Sequence, residues 1–128
     1  MGNKVNPIGL RLGISRTWNS KWFAEKDYAS QLRQDLDIQK FVKGRLKHAA
    51  ISKIEVEHTA KRTKVNIFSA RPGIIIGRKG DEVESLKKEL SKRNYNDVTI
   101  NIKEIKRPEI DATLIAENIA SQLERRIA

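Results

Sequence analysis

The chain has 128 residues, enough for one compact domain plus an extension, and its 38% hydrophobic content suffices for a small core but argues against a multidomain enzyme. Lysine and arginine number 26 against 16 acidic residues, a formal charge of +10 that points to a polyanionic partner, nucleic acid first and an anionic membrane surface second. No apolar run is long enough to span a bilayer, no signal-peptide pattern opens the chain, Asn6 stands where myristoylation needs a hydroxyl residue, and the lack of cysteine excludes disulfides, thiolate metal sites and cysteine nucleophiles.

Residues 1–26 are rich in glycine, asparagine, serine and basic side chains, with Lys4, Arg11, Arg16, Lys21 and Lys26 opposed only by Glu25. Such a segment cannot build a core alone. Ile8, Leu10, Leu12 and Ile14 alternate and read as a short strand, while Trp18, Trp22 and Phe23 are placed to pin the segment to the domain or to RNA. Asp27 is expected to cap a helix with Tyr28, Leu32 and Leu36 on one face, interrupted near residues 35–37 before Phe41, Val42 and Leu46. Ile54, Val56 and His58 then alternate with Glu55 and Glu57, and Val65 and Ile67 with Lys64 and Asn66, so two strands flank the polar turn Ala60, Lys61, Arg62. A short helix leads to a glycine-rich loop, and from Asp81 a second helix carries Val83, Leu86 and Leu90 on one face. After a turn at Asn94, Tyr95, Asn96 and Asp97, alternation of Val98, Ile100 and Ile102 signals a third strand, which Pro108 ends. Asp111 starts a last helix whose Ile115, Ile119, Leu123 and Ile127 recur every four residues beside Ala112, Ala116 and Ala120, a face expected to pack closely on the sheet.

The loop between the two central helices carries the chemistry. Gly77 and Gly80 bracket Arg78 and Lys79, so the main chain can approach a phosphodiester backbone where no β-carbon intervenes, with two positive charges beside it. The loop stands at a helix N-terminus, where free N–H groups and the macrodipole favour anions; Asp81 and Glu82 suit the dipole but repel a nearby phosphate. Ile74 to Ile76 are expected to give apolar support. A pair of glycines three apart is weak by itself, but this context resembles the GxxG loop of a KH domain, and the element order resembles the type II KH fold. The expected class is therefore α+β, a three-stranded mixed sheet backed by helices, with a basic N-terminal extension.

Enzymatic readings fail on spacing. Gly73, Gly77 and Gly80 are not spaced as Gly-x-Gly-x-x-Gly, and Lys79 is followed by Gly80 where a phosphate-binding P-loop needs serine or threonine. His48 and His58 are the only histidines and have no ligand-like spacing to each other, so neither metal, cofactor nor catalytic role is expected.

Residues 2–13 (Gly-Asn-Lys-Val-Asn-Pro-Ile-Gly-Leu-Arg-Leu-Gly), 17–22 (Thr-Trp-Asn-Ser-Lys-Trp), the run from Ala70 to Gly80, and 120–126 (Ala-Ser-Gln-Leu-Glu-Arg-Arg) resemble, in order, the bacterial-type family of small-subunit ribosomal protein three. The resemblance implies a structural protein in the head of the small subunit, near where mRNA enters. Its implied partners are small-subunit ribosomal RNA, neighbouring ribosomal proteins and, as a further candidate, mRNA, on a cytoplasmic or organellar ribosome and away from membranes. Family members continue through the last helix into a second α/β domain, whereas this sequence stops at Ala128. The expected organisation is thus a basic extension over 1–26 and a type II KH domain with C-terminal helix over 27–128, the second domain absent. Lys4, Arg11, Arg16 and Lys21 are the arm's candidate RNA contacts, and Gly77, Arg78, Lys79 and Gly80 those of the loop. Lys61, Arg62, Arg71, Lys106 and Arg107 are either a wider basic rim or solvated surface charges. The rival of the same chemistry is a free-standing KH protein acting in RNA decay or chaperoning, against which the family-like N-terminal segment argues.

Overall fold

Two periodicities organise the molecule: side chains alternating in strands, and apolar stripes recurring every three to four residues in helices. The computed structural model describes residues 2–93 and 97–128, so most of the turn expected at Asn94, Tyr95 and Asn96 lies outside the described residues. In chain order come helix α1 (Pro7–Arg11), strand β1 (Ser20–Lys21), helix α2 (Tyr28–Arg45), strands β2 (Ile51–His58) and β3 (Arg62–Ser69), helices α3 (Pro72–Ile76) and α4 (Asp81–Lys92), strand β4 (Asp97–Glu104) and helix α5 (Ala112–Glu124). From α2 to β4 this is the expected helix, strand, strand, helix, helix, strand order.

The sheet has four strands, not three, in the order β1-β2-β3-β4. β2 and β3 run antiparallel with Val56 opposite Val65, β3 and β4 parallel with Val65 opposite Ile100, and β1 lies parallel to β2 with Ser20 opposite Val56. Two residues are too few to show alternation, so β1 left no periodic signal. It is held by the Val56 N–H donating to Asn19 O (2.9 Å) and by side-chain bonds to α2.

One face of the sheet carries Ile54, Val56, Val65, Ile67 and Val98, which form a single core with Ile38, Val42 and Leu46, Ile75, and Leu86 and Leu90 from the helices. Each such side chain contributes about 1.5–3 kcal/mol by leaving water. The opposite face is polar. Asn101 Nδ2 donates to Asn66 Oδ1 (3.4 Å), Asn66 Nδ2 donates to Glu57 Oε1 (3.3 Å), and Lys53 and Lys103 stand 4.5 and 5.3 Å from the Phe68 ring centroid.

Three further expectations are corrected. Residues 7–11 form a helix rather than a strand: Pro7 pre-sets its first turn, and Asn6 Oδ1 accepts from Ile8 N–H (2.9 Å). α2 runs unbroken through residues 35–37. Its inward stripe is Asp35, Ile38 and Val42, so the apparent interruption is a buried carboxylate within the stripe, and Leu36 is 56% exposed. Finally, the isoleucine face of α5 does not pack closely on the sheet. Ile115, Ile119, Leu123 and Ile127 are between 43% and 70% exposed, and no α5 residue is buried. α5 is attached at its start, where Asp111 Oδ1 accepts from Leu114 N–H (3.2 Å) and Asp111 Oδ2 from the Ser52 hydroxyl (2.7 Å). Along its length, Glu117 pairs with Lys43 on α2 at 3.5 Å.

Candidate nucleic-acid interface

α3 is a single short helix started by Pro72 and anchored by Ile75, which is wholly buried; Ile74 and Ile76 are exposed, so one isoleucine of the three gives the expected support. The chain then leaves the helix at Gly77 with φ +71° and ψ −171°, a region open only to glycine. A β-carbon there would lie 2.7 Å from Glu82 Cγ and 2.9 Å from Glu82 Cβ, so the approach of α4 demands this glycine. Lys79 (φ +55°) and Gly80 (φ +81°) both adopt left-handed conformations, and nothing stands within 4 Å of a β-carbon built on Gly80. Gly77 therefore closes the loop against α4, while Gly80 keeps its outer surface clear.

Arg78 and Lys79 are exposed on this surface, directly before α4. The glycine N-cap offers no side-chain acceptor to the first turn of α4, which leaves backbone donors at the positive end of a twelve-residue helix. Exposed Asp81 and Glu82 temper the local charge. The arrangement can hold an anion by main-chain donors flanked by two cations.

The second basic region is the N-terminal segment, of which Lys21 lies on the edge strand β1. Lys4, Arg11, Arg16 and Lys21 are exposed; Arg11 Nη1 donates to Pro7 O at 3.0 Å, and Lys21 pairs with Glu55 at 3.5 Å. Burial pushes the Glu55 carboxyl up, but Lys53 (3.0 Å) and Lys21 more than offset this and hold it below the ordinary value. The segment after Arg16 is fixed to the domain by Asp35, whose Oδ2 accepts from the Ser20 hydroxyl and from Trp22 Nε1 (3.2 Å) and whose Oδ1 accepts from Gln39 Nε2 (3.0 Å). Sequence reasoning missed this anchor. Its signal was the spacing of Asp35 with Ile38 and Val42, three and seven residues on.

The family profile described as a KH domain matches residues 37–110. The chain belongs to the KH domain family. Over all 128 residues it is also 61% identical to the small ribosomal subunit protein uS3 of Geobacter sp. (strain M21) and to that of Citrifermentans bemidjiense, and 56% identical to that of Geobacter sulfurreducens. The chain spans 61% of the length of each of these relatives. Within the KH domain, the loop of Gly77, Arg78, Lys79 and Gly80 occupies the turn between the two central helices.

The structure divides the five remaining basic candidates, Lys61, Arg62, Arg71, Lys106 and Arg107, into two groups. Arg71 and the Lys106–Arg107 pair meet at one end of the β3–β4 pair: Arg71 N–H donates to Ser69 Oγ (3.0 Å) and Ile105 N–H to Ser69 O (2.9 Å). Lys61 and Arg62 lie at the other end, eight strand residues or about 25 Å away, next to the end of β2 that pairs with Lys21. One continuous rim is not formed.

Proposed function

We propose that this KH domain chain is a structural, non-catalytic RNA-binding constituent of the small ribosomal subunit. The observation that carries the reading is its 56–61% identity, along its entire length, to relatives named small ribosomal subunit protein uS3. Residues 1–26 act as an arm that docks on folded ribosomal RNA through phosphates, with Lys4, Arg11, Arg16 and Lys21 as its cations. The loop from Gly77 to Gly80 holds a single-stranded backbone, ribosomal or messenger, and Arg71, Lys106 and Arg107 extend that side. Neighbouring ribosomal proteins complete the partners, on a cytoplasmic or organellar ribosome.

The test compares binding to a small-subunit head RNA fragment and to a short single strand across salt. Arg78→Asp/Lys79→Asp is expected to weaken the single strand and lower its salt slope by about two, while deletion of residues 1–26 chiefly weakens the folded fragment. Unchanged binding of both RNAs by folded variants would remove both surfaces from consideration. Distribution of the protein among free RNAs in a sucrose gradient, instead of co-migration with small subunits at raised salt, would favour a free-standing RNA-binding role.

A further inference from the structure

We propose that Trp18, Trp22 and Tyr28 form a cleft that receives one unpaired nucleobase of an RNA whose phosphates the arm holds. The inference rests on the RNA-binding reading and adds to it a base-recognition site remote from the GxxG loop. The cleft is a cavity of about 720 Å³ whose lining includes Thr17, Trp18, Lys21, Trp22, Tyr28 and Leu32, within the range of about 300–1,000 Å³ usual for small-ligand sites.

One wall is built in advance. Trp22 is half-buried, its Nε1 donates to the buried Asp35 carboxylate at 3.2 Å, and its ring stands 5.3 Å from Tyr28 at 49° and 6.2 Å from His58 edge-on. The other rings are open to solvent, Trp18 58% and Tyr28 57% exposed. Large aromatic faces left in water beside a rigid one are a stacking platform, and every nucleobase has a π-face that such a platform accepts.

Charge selects the occupant. The chain carries +10, Arg16 immediately precedes the cleft segment, and Lys21, paired with Glu55 at 3.5 Å, lines it. A partner that offers a flat ring together with flanking negative charge fits these groups, and an unstacked nucleotide supplies both. The hydroxyls of Thr17 and Tyr28 give the base edge hydrogen-bonding groups. Because β1 is the edge strand opposite β4, a base held here leaves the loop between α3 and α4 unobstructed.

The experiment uses three short RNA hairpins: one with a single unpaired adenosine, the same hairpin with an abasic site there, and a fully paired control. Trp18 and Trp22 are the only tryptophans, so intrinsic fluorescence reports the cleft directly. The adenosine hairpin is expected to quench the emission and bind about tenfold more tightly than the abasic one. Trp18→Ala should abolish that difference without changing affinity for the abasic or paired hairpin, and Trp18→Phe should restore most of it. Trp18 is exposed, so these variants are expected to fold, which far-ultraviolet circular dichroism checks. Equal, salt-dependent binding of adenosine and abasic hairpins would overturn the cleft while leaving RNA binding intact. A uniform loss for all three hairpins in Trp18→Ala would overturn it in favour of a general effect of the arm, and no binding of any hairpin would overturn both readings.

Discussion

Gly77 and Gly80 share a motif but are held by different constraints. Gly77 needs both its backbone angles and the missing β-carbon, because Glu82 occupies the space, whereas Gly80 needs only its left-handed φ. Gly77→Ala is expected to destabilise the fold by about 2–4 kcal/mol, and Gly80→Ala by about 1 kcal/mol, with Gly80→Asn milder still, as urea denaturation would read. Asp35 is the other residue on which much depends. Asp35→Ala strands the Trp22 and Gln39 donors and the Ser20 hydroxyl around a small cavity, an expected loss of about 2–4 kcal/mol accompanied by a red shift of tryptophan emission as β1 detaches. The Gly77 requirement was visible in sequence only as a glycine. Its cause, a side chain five residues on, belongs to the folded loop.

Among the longer helices, α5 depends most on its cap, since α2 and α4 bury side chains and it buries none. Donation from Ser52 holds the Asp111 carboxyl below its ordinary value of 3.8, burial opposing and the Leu114 and Thr113 N–H groups adding. Asp111→Ala is expected to weaken α5 by about 1–2 kcal/mol, seen as faster amide exchange over residues 112–120. Because the folded value is depressed, this contribution is present above the ordinary value and lost as pH falls through the lower folded one, so α5 should loosen only in acid. At the opposite end of the chain, α1 shows the same weight of local chemistry. Asn6 and Pro7 set a helix start that overrode the alternation of Ile8, Leu10 and Leu12, because no neighbouring strand was there to reward it.

At the scale of the molecule, His58 joins the sheet to the arm. Burial lowers its pKa from the ordinary 6.5, the Asp35 charge acting the other way. Nδ1 lies 3.1 Å from Thr63 Oγ1, and Nε2 is buried without a partner among the described residues, so the charged ring, a donor at both nitrogens, would carry an N–H with no acceptor. The unfolded chain therefore binds the proton more readily. Stability from neutral His58 is complete above 6.5 and falls as pH drops through the lower folded value. Urea midpoints should decline as the pH falls below 6.5 in the natural chain and decline less in His58→Phe, and parallel profiles would remove His58 as the cause.

The α+β class, the helix, strand, strand, helix, helix, strand order and the GxxG position were determined by sequence alone, because each rests on a local period or on glycine itself. The core stripes of α4, β2 and β3 were legible for the same reason, with Leu86, Leu90, Val56, Val65 and Ile67 all buried as alternation and helical spacing require. Tertiary structure alone decided what depends on partners distant in the chain. β1 exists because Val56 and Asp35 bind it, and Asp35 is tolerated in an apolar stripe because three donors converge on it. Lys61 and Arg62 are parted from Arg71, Lys106 and Arg107 by the length of β3, and the isoleucines of α5 stay exposed because the helix is held by its cap and a Lys43–Glu117 ion pair while burying none of its own residues. Periodicity tells a residue which way to face, but only the folded chain determines whether anything is there to meet it.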